Sequence, residues 1–170
     1  MSIERLRDRP IVVMGVSGVG KSTIARALAE RLGRPFLEGD DFHPQANVRK
    51  MASGQPLTEA DREPWLQRIG EAIARERAAG RAPIVACSAL SRASRRALRA
   101  SDPQLLFVHL EAERSVIEAR LRARSGHFMP ASLLDSQLGT LEAPRDALVV
   151  DASEPIPALV ERIVRAAQIS

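Results

Sequence analysis

Apolar residues along this 170-residue chain alternate between short unbroken runs and longer stretches with helical spacing, a rhythm that predicts strands separated by helices. Ile11-Val12-Val13-Met14 is the first unbroken run. After it Ile24, Ala25, Leu28, Ala29 and Leu32 recur on one helical face as far as Gly33, placed to end the helix as a C′ glycine. Pro35-Phe36-Leu37 predicts a short second strand. A short helix over 44–51 follows, with Pro44 in its first turn and Gly54-Gln55-Pro56 beyond it. Thr58 with Asp61 three residues on has the form of a capping box, and Trp65, Ile69, Ala72 and Ile73 give the buried face of a helix to about Gly80. Residues 83–87 are continuously apolar and too few for a helix, so they predict a central parallel strand. A basic helix over 91–100, a strand over 105–110, and a helix over 113–124 with Val116, Ile117 and Leu121 inward come next. The chain closes with a strand over 147–150 and an amphipathic helix over 158–167.

Between the last two helices, Ser125-Gly126-His127-Phe128-Met129-Pro130 breaks the periodicity, and a polar helix to about Leu141 completes what reads as a mobile lid over 125–141. There is no internal repeat, linker or low-complexity tract. The expected fold is one α/β domain spanning residues 1–170, a doubly wound sheet of about five mainly parallel strands flanked by helices.

The turn from first strand to first helix carries the strongest chemical signal, Gly15-Val16-Ser17-Gly18-Val19-Gly20-Lys21-Ser22. Glycines let such a loop curl so that its N–H groups face phosphate oxygens, and the helix that follows adds its positive end. Lys21 is spaced to reach the β- and γ-phosphates of ATP, the Ser22 hydroxyl to ligate Mg²⁺, and Thr23 to support the loop or an α-phosphate. A strand before and a helix after are the context that this phosphate-loop motif requires.

Composition narrows the class. The net charge of +4 is spread along the chain and aromatics are only 3%, which argues against a stacking platform for nucleic acid and for small anionic ligands. Only Lys21 and Lys50 are lysine among the 25 basic residues, so arginine fills the ordinary surface role. The lone Cys87 lies in an apolar run, as a buried small hydrophobe would. No run is long enough to span a bilayer and the first ten residues are too charged for a signal core, so a soluble protein of the cytoplasm, without membrane or nucleic-acid partners, is expected.

Phosphoryl transfer also needs a group that orients or deprotonates the acceptor and cations that meet the charge on the moving group. Glu38 and Asp40 leave the end of the second strand two residues apart, on one side of an extended segment, facing the loop. Asp40 is the candidate base and Glu38 the candidate holder of a Mg²⁺-bound water, with the exchanged assignment left open. His43, Arg49 and Lys50 supply polar and cationic groups for an acidic substrate, Arg49 offering a bidentate fork. Arg120 and Arg124 share a helix face before the break, where lid closure would bring them over the phosphates. His127 lies on the lid. His109 and Trp65 fit the sheet and the core.

Several stretches together resemble the gluconate kinase family: the loop GVSGVGKST; Gly39-Asp40-Asp41-Phe42-His43-Pro44; the run from Asn47 through Arg49-Lys50-Met51 to Gln55-Pro56-Leu57; Asp61-Arg62-Glu63-Pro64-Trp65-Leu66; Cys87-Ser88-Ala89-Leu90; and Gly126-His127-Phe128. They cover most of residues 10–151 in the family's order. The resemblance implies an adenylate-kinase- or shikimate-kinase-like P-loop fold with a lid, transfer from ATP to D-gluconate giving 6-phosphogluconate, Mg²⁺, and a homodimer. Ser91 and Ser94 stand where the family pattern has a lysine and a tyrosine, and no role is carried over to them. The alternatives are another small-metabolite kinase on the same fold, such as a shikimate kinase, an ATP-sensing P-loop protein without catalysis, and an RNA-binding surface.

Overall fold

The computed structural model describes residues 9–123 and 131–169. Strand β1 (Ile11–Met14) lies at the centre of a five-stranded sheet of order β2-β3-β1-β4-β5, in which β2 is Phe36–Glu38, β3 Ile84–Ala86, β4 Leu106–Glu111 and β5 Leu148–Asp151. Every pairing is parallel, with Val12 opposite Val85 on one side and Phe107 on the other. Parallel strands covered on both faces need apolar residues at every position, and all four residues of β1 are fully buried.

Alternation along β1 divides the core. Ile11 and Val13 join the cluster formed with helices α1 (Lys21–Leu32), α5 (Arg114–Ala123), α6 (Ala131–Thr140) and α7 (Ile156–Ile169). Val12 and Met14 face Trp65, Ile69 and Ile73 of α3 (Glu59–Ala78) and Leu98 of α4 (Arg92–Ser101). The short α2 (Gln45–Ala52) precedes α3. The order places β3 and β4 on either side of β1, so the chain diverges at the carboxyl end of β1, where ligands of open α/β sheets bind.

One expectation changes. Gly39–Phe42 forms a 3-10 turn capped by Glu38, so Asp40 is not on an extended continuation of β2. Gly39 allows this by proximity, since a Cβ there would overlap the Ala86 carbonyl oxygen. Of the lid expected over 125–141, residues 125–130 lie outside the described residues, and in α6, which follows them, Leu134 is only 1% exposed within the core. The capping box of α3 forms as expected: Asp61 N donates to Thr58 Oγ1 at 3.1 Å and Thr58 N to Asp61 Oδ2 at 2.9 Å.

Candidate active site

The phosphate loop is shaped by its glycines and fixed by its valines. Gly20 caps α1 with φ 102°, and Gly18 has φ 85° where a Cβ would collide with Leu121. Both are left-handed conformations that cost a side chain dearly. Val16 and Val19, which lie between the loop's glycines, bury their side chains in the core. Lys21 Nζ donates to Val16 O at 2.9 Å, which folds the ammonium over the loop. Arg120 grips the loop from outside, Nη1 donating to Val19 O at 2.9 Å and Nη2 to Ala152 O at 2.7 Å. Thr23 is exposed.

Beside the loop, the Ser22 hydroxyl donates to Glu38 Oε2 at 2.5 Å. The 3-10 turn then presents Asp40, whose N–H lies 3.5 Å from Glu38 Oε1. Trp65 braces this turn from below. Its Nε1 donates to Gly39 O at 2.8 Å, and its ring stacks on His43 at 4.2 Å between centroids and 13° between planes. Trp65 is thus the core residue expected and also the support of the acidic turn. Burial lowers the His43 pKa, with Asp40 pulling the other way, so the imidazole is biased toward its neutral form.

Asp40, His43 and Trp65 line one cavity of about 530 Å³ together with Ser17, Lys21 and Ser22 of the loop region. Val48, Met51, Leu57 and Leu90 supply apolar wall, and Arg62, Ser88, Ser91 and Gln137 supply polar groups. The cations expected from α2 are placed elsewhere. Arg49 is exposed and outside the cavity lining. Lys50 is taken by Asp61 at 2.5 Å, and that pairing with the Thr58 bonds holds the Asp61 carboxyl down at about 2. Lys50 therefore ties α2 to the start of α3. Arg124 and His127 lie outside the described residues.

Arg62 is the cavity cation that spacing alone did not single out. Nη1 donates to Leu57 O at 2.9 Å and Nη2 to Glu59 Oε1 at 2.7 Å, while the buried Nε has no hydrogen-bond partner among the described residues. It stands in the first turn of α3, and its signal was the Asp61-to-Leu66 block in which it sits. Gln137 was missed because an amide in a polar helix announces nothing. Its Oε1 accepts from Ser17 N at 2.7 Å.

Cys87 is buried and its thiol is pushed up to about 12, mainly by burial, which makes it inert. His109 is buried within β4, and burial lowers its pKa against the opposing charge of Glu111. Among the described residues no group of three or more His, Cys, Asp or Glu side chains is arranged to hold a metal, and no helix is long and apolar enough to cross a membrane.

Residues 11–155 match the family model described as an AAA domain. A gluconokinase of Gluconobacter oxydans is 52% identical, over 83% of this chain and 79% of its own length. The thermoresistant gluconokinase of Escherichia coli is 43% identical, over 88% and 87%. Among solved structures, a gluconokinase from Sinorhizobium meliloti matches with a TM-score of 0.84 at 48% identity, covering 95% of this chain and 92% of that one. A shikimate kinase from Bacteroides thetaiotaomicron, with a TM-score of 0.69 and 19% identity, shares the fold.

Proposed function

The chain belongs to the gluconokinase family, and from that premise we propose how its own residues divide the work of moving the γ-phosphoryl group of ATP to the terminal hydroxyl of D-gluconate. The observation that carries the reading is that the phosphate-loop residues Lys21 and Ser22 line the same cavity as Asp40 and Arg62. Gluconate is a linear acid with a carboxylate at one end and the reacting hydroxyl at the other, so it needs a cation and a carboxylate held apart. Arg62 meets the substrate carboxylate, taking the role that spacing had suggested for Arg49. Asp40 accepts the proton of the terminal hydroxyl, and His43, neutral and stacked on Trp65, hydrogen-bonds to the chain between.

Lys21 leaves Val16 O to meet the phosphates, and Arg120 keeps the loop in shape through Val19 O. The Ser22 hydroxyl and Glu38 carboxylate are adjacent hard oxygen donors and suit Mg²⁺, Ser22 as a direct ligand and Glu38 through water. When bound there, the ion supplies neutralisation of phosphate charge. The family resemblance is also the support for a homodimer working in the cytoplasm, and light scattering reads the first of these. A shikimate kinase on the same fold is the less favoured reading, since the named relatives at high identity are gluconokinases.

Steady-state kinetics with gluconate test the placement. Arg62→Ala should lose about 30- to 5,000-fold in kcat/KM, as removal of one partner of a desolvated charge pair does. Arg49→Ala should stay close to the parent. The reverse pattern would return the carboxylate to Arg49.

A further inference from the structure

The N–H groups of a phosphate loop are its binding surface, so one that the protein engages for itself is withheld from the phosphates. Ser17 N–H is such a group. It donates to Gln137 Oε1 at 2.7 Å, across 120 residues of sequence, and Gln137 Nε2 lies 3.4 Å from Ser17 Oγ. Both residues line the cavity.

The helix that carries Gln137 is seated firmly. Leu134, one turn earlier, is buried in the core, and Leu138 and Leu141 pack against it. Beyond the helix, Glu142 N donates to Leu90 O at 2.9 Å. The buried Arg95 closes the same junction, Nη2 donating to Glu142 O at 2.7 Å and Nη1 to Ala89 O at 2.8 Å and Leu90 O at 3.0 Å. Gln137 is therefore presented from a fixed element to a loop whose glycines make it pliable.

We infer that Gln137 is a positioning residue for the nucleotide: by holding the Ser17 amide it fixes the third residue of the loop, beside the Val16 carbonyl that receives the Val19 N–H at 3.4 Å and the Lys21 ammonium at 2.9 Å, and it marks the border with the acceptor cavity. The inference rests on the phosphoryl-transfer reading above. Without the tether the loop samples conformations that do not bind, and apparent affinity falls by the fraction of time spent in them. The acceptor, held at Arg62 and Asp40, does not depend on the tether.

Isothermal titration with ADP plus magnesium chloride, and separately with gluconate, tests this on folded Gln137→Leu and Gln137→Glu proteins. Gln137→Leu removes the acceptor at similar size, and its Kd for ADP should rise about 5- to 100-fold while the gluconate Kd stays within about twofold. Gln137→Glu keeps an acceptor for Ser17 N–H, so its nucleotide loss should come from charge alone and recover at about 1 M salt, where screening is strong. Equal weakening of both ligands, or an unchanged ADP Kd in Gln137→Leu, overturns the inference. Should Gln137→Leu fail to fold, an ADP defect in Gln137→Glu that persists in high salt does the same. Wild-type protein that fails to bind gluconate counts against the functional reading instead and leaves the ADP comparison intact.

Discussion

Asp40 and Glu38 differ in what they touch, and the proposed mechanism gives them separate tasks accordingly. Glu38 receives the Ser22 hydroxyl and caps the turn, whereas Asp40 is exposed at the cavity wall with His43 nearby. Asp40→Asn keeps the shape and deletes the charge that attracts the acceptor proton. It should bind ATP as the parent does and lose about 10² to 10⁴ in kcat, the usual worth of a general base. Rapid-quench turnover beside nucleotide titration checks this, and a crippled Glu38→Gln with a nearly normal Asp40→Asn would exchange the roles. At this scale the meeting of Lys21, Ser22 and Asp40 at one cavity was legible because a phosphate loop and a strand end are local patterns. Arg62 and Gln137 were not, because their value comes from contacts fixed by the tertiary fold: Arg62 looks like one more arginine until α3 places it in the cavity.

The start of α3 shows how an element can hide a charge from the site. Asp61 completes the capping box, accepts from Lys50, and sits beside the Asn47 side chain, which donates to Asp61 O at 2.8 Å. The Lys50 ammonium and the Thr58 N–H hold its carboxyl down at about 2 in the folded protein, below the ordinary value of 3.8. A depressed carboxyl contributes stability that is fully present above the unfolded value and is lost as pH falls through the folded one. Asp61→Asn should therefore lower the melting temperature at neutral pH, with the gap to the parent narrowing from about pH 4 toward pH 2. Thermal melts across that range check it, and a gap independent of pH would show that the cap works without its charge. The box itself was readable from Thr58 and Asp61, whereas the capture of Lys50 was not, since eleven residues and a loop separate the partners. Helix α6 makes the same point from the apolar side: its sequence is largely polar, yet Leu134 is buried against the core.

For the molecule as a whole, the strand order explains why one edge gathers the chemistry. β1 delivers the phosphate loop, β2 the acidic turn, and β3 the Ser88-to-Ser91 wall, all from adjacent carboxyl ends of a parallel sheet. Strand and helix alternation made this architecture legible, while the depth of the cavity depends on how α2 and α6 are seated, which periodicity does not encode. In the proposed reaction this edge transfers the γ-phosphoryl group of ATP to the terminal hydroxyl of gluconate. Incubating the protein with ATP, Mg²⁺ and either D-gluconate or shikimate, and reading the product by phosphorus NMR with ADP release in parallel, tests it most directly. The expected product is a phosphomonoester on the C6 hydroxyl of gluconate, formed with one ADP per product and in clear preference to any shikimate phosphate. Preferential phosphorylation of shikimate, or ATP bound without any phosphorylated sugar acid, would contradict it.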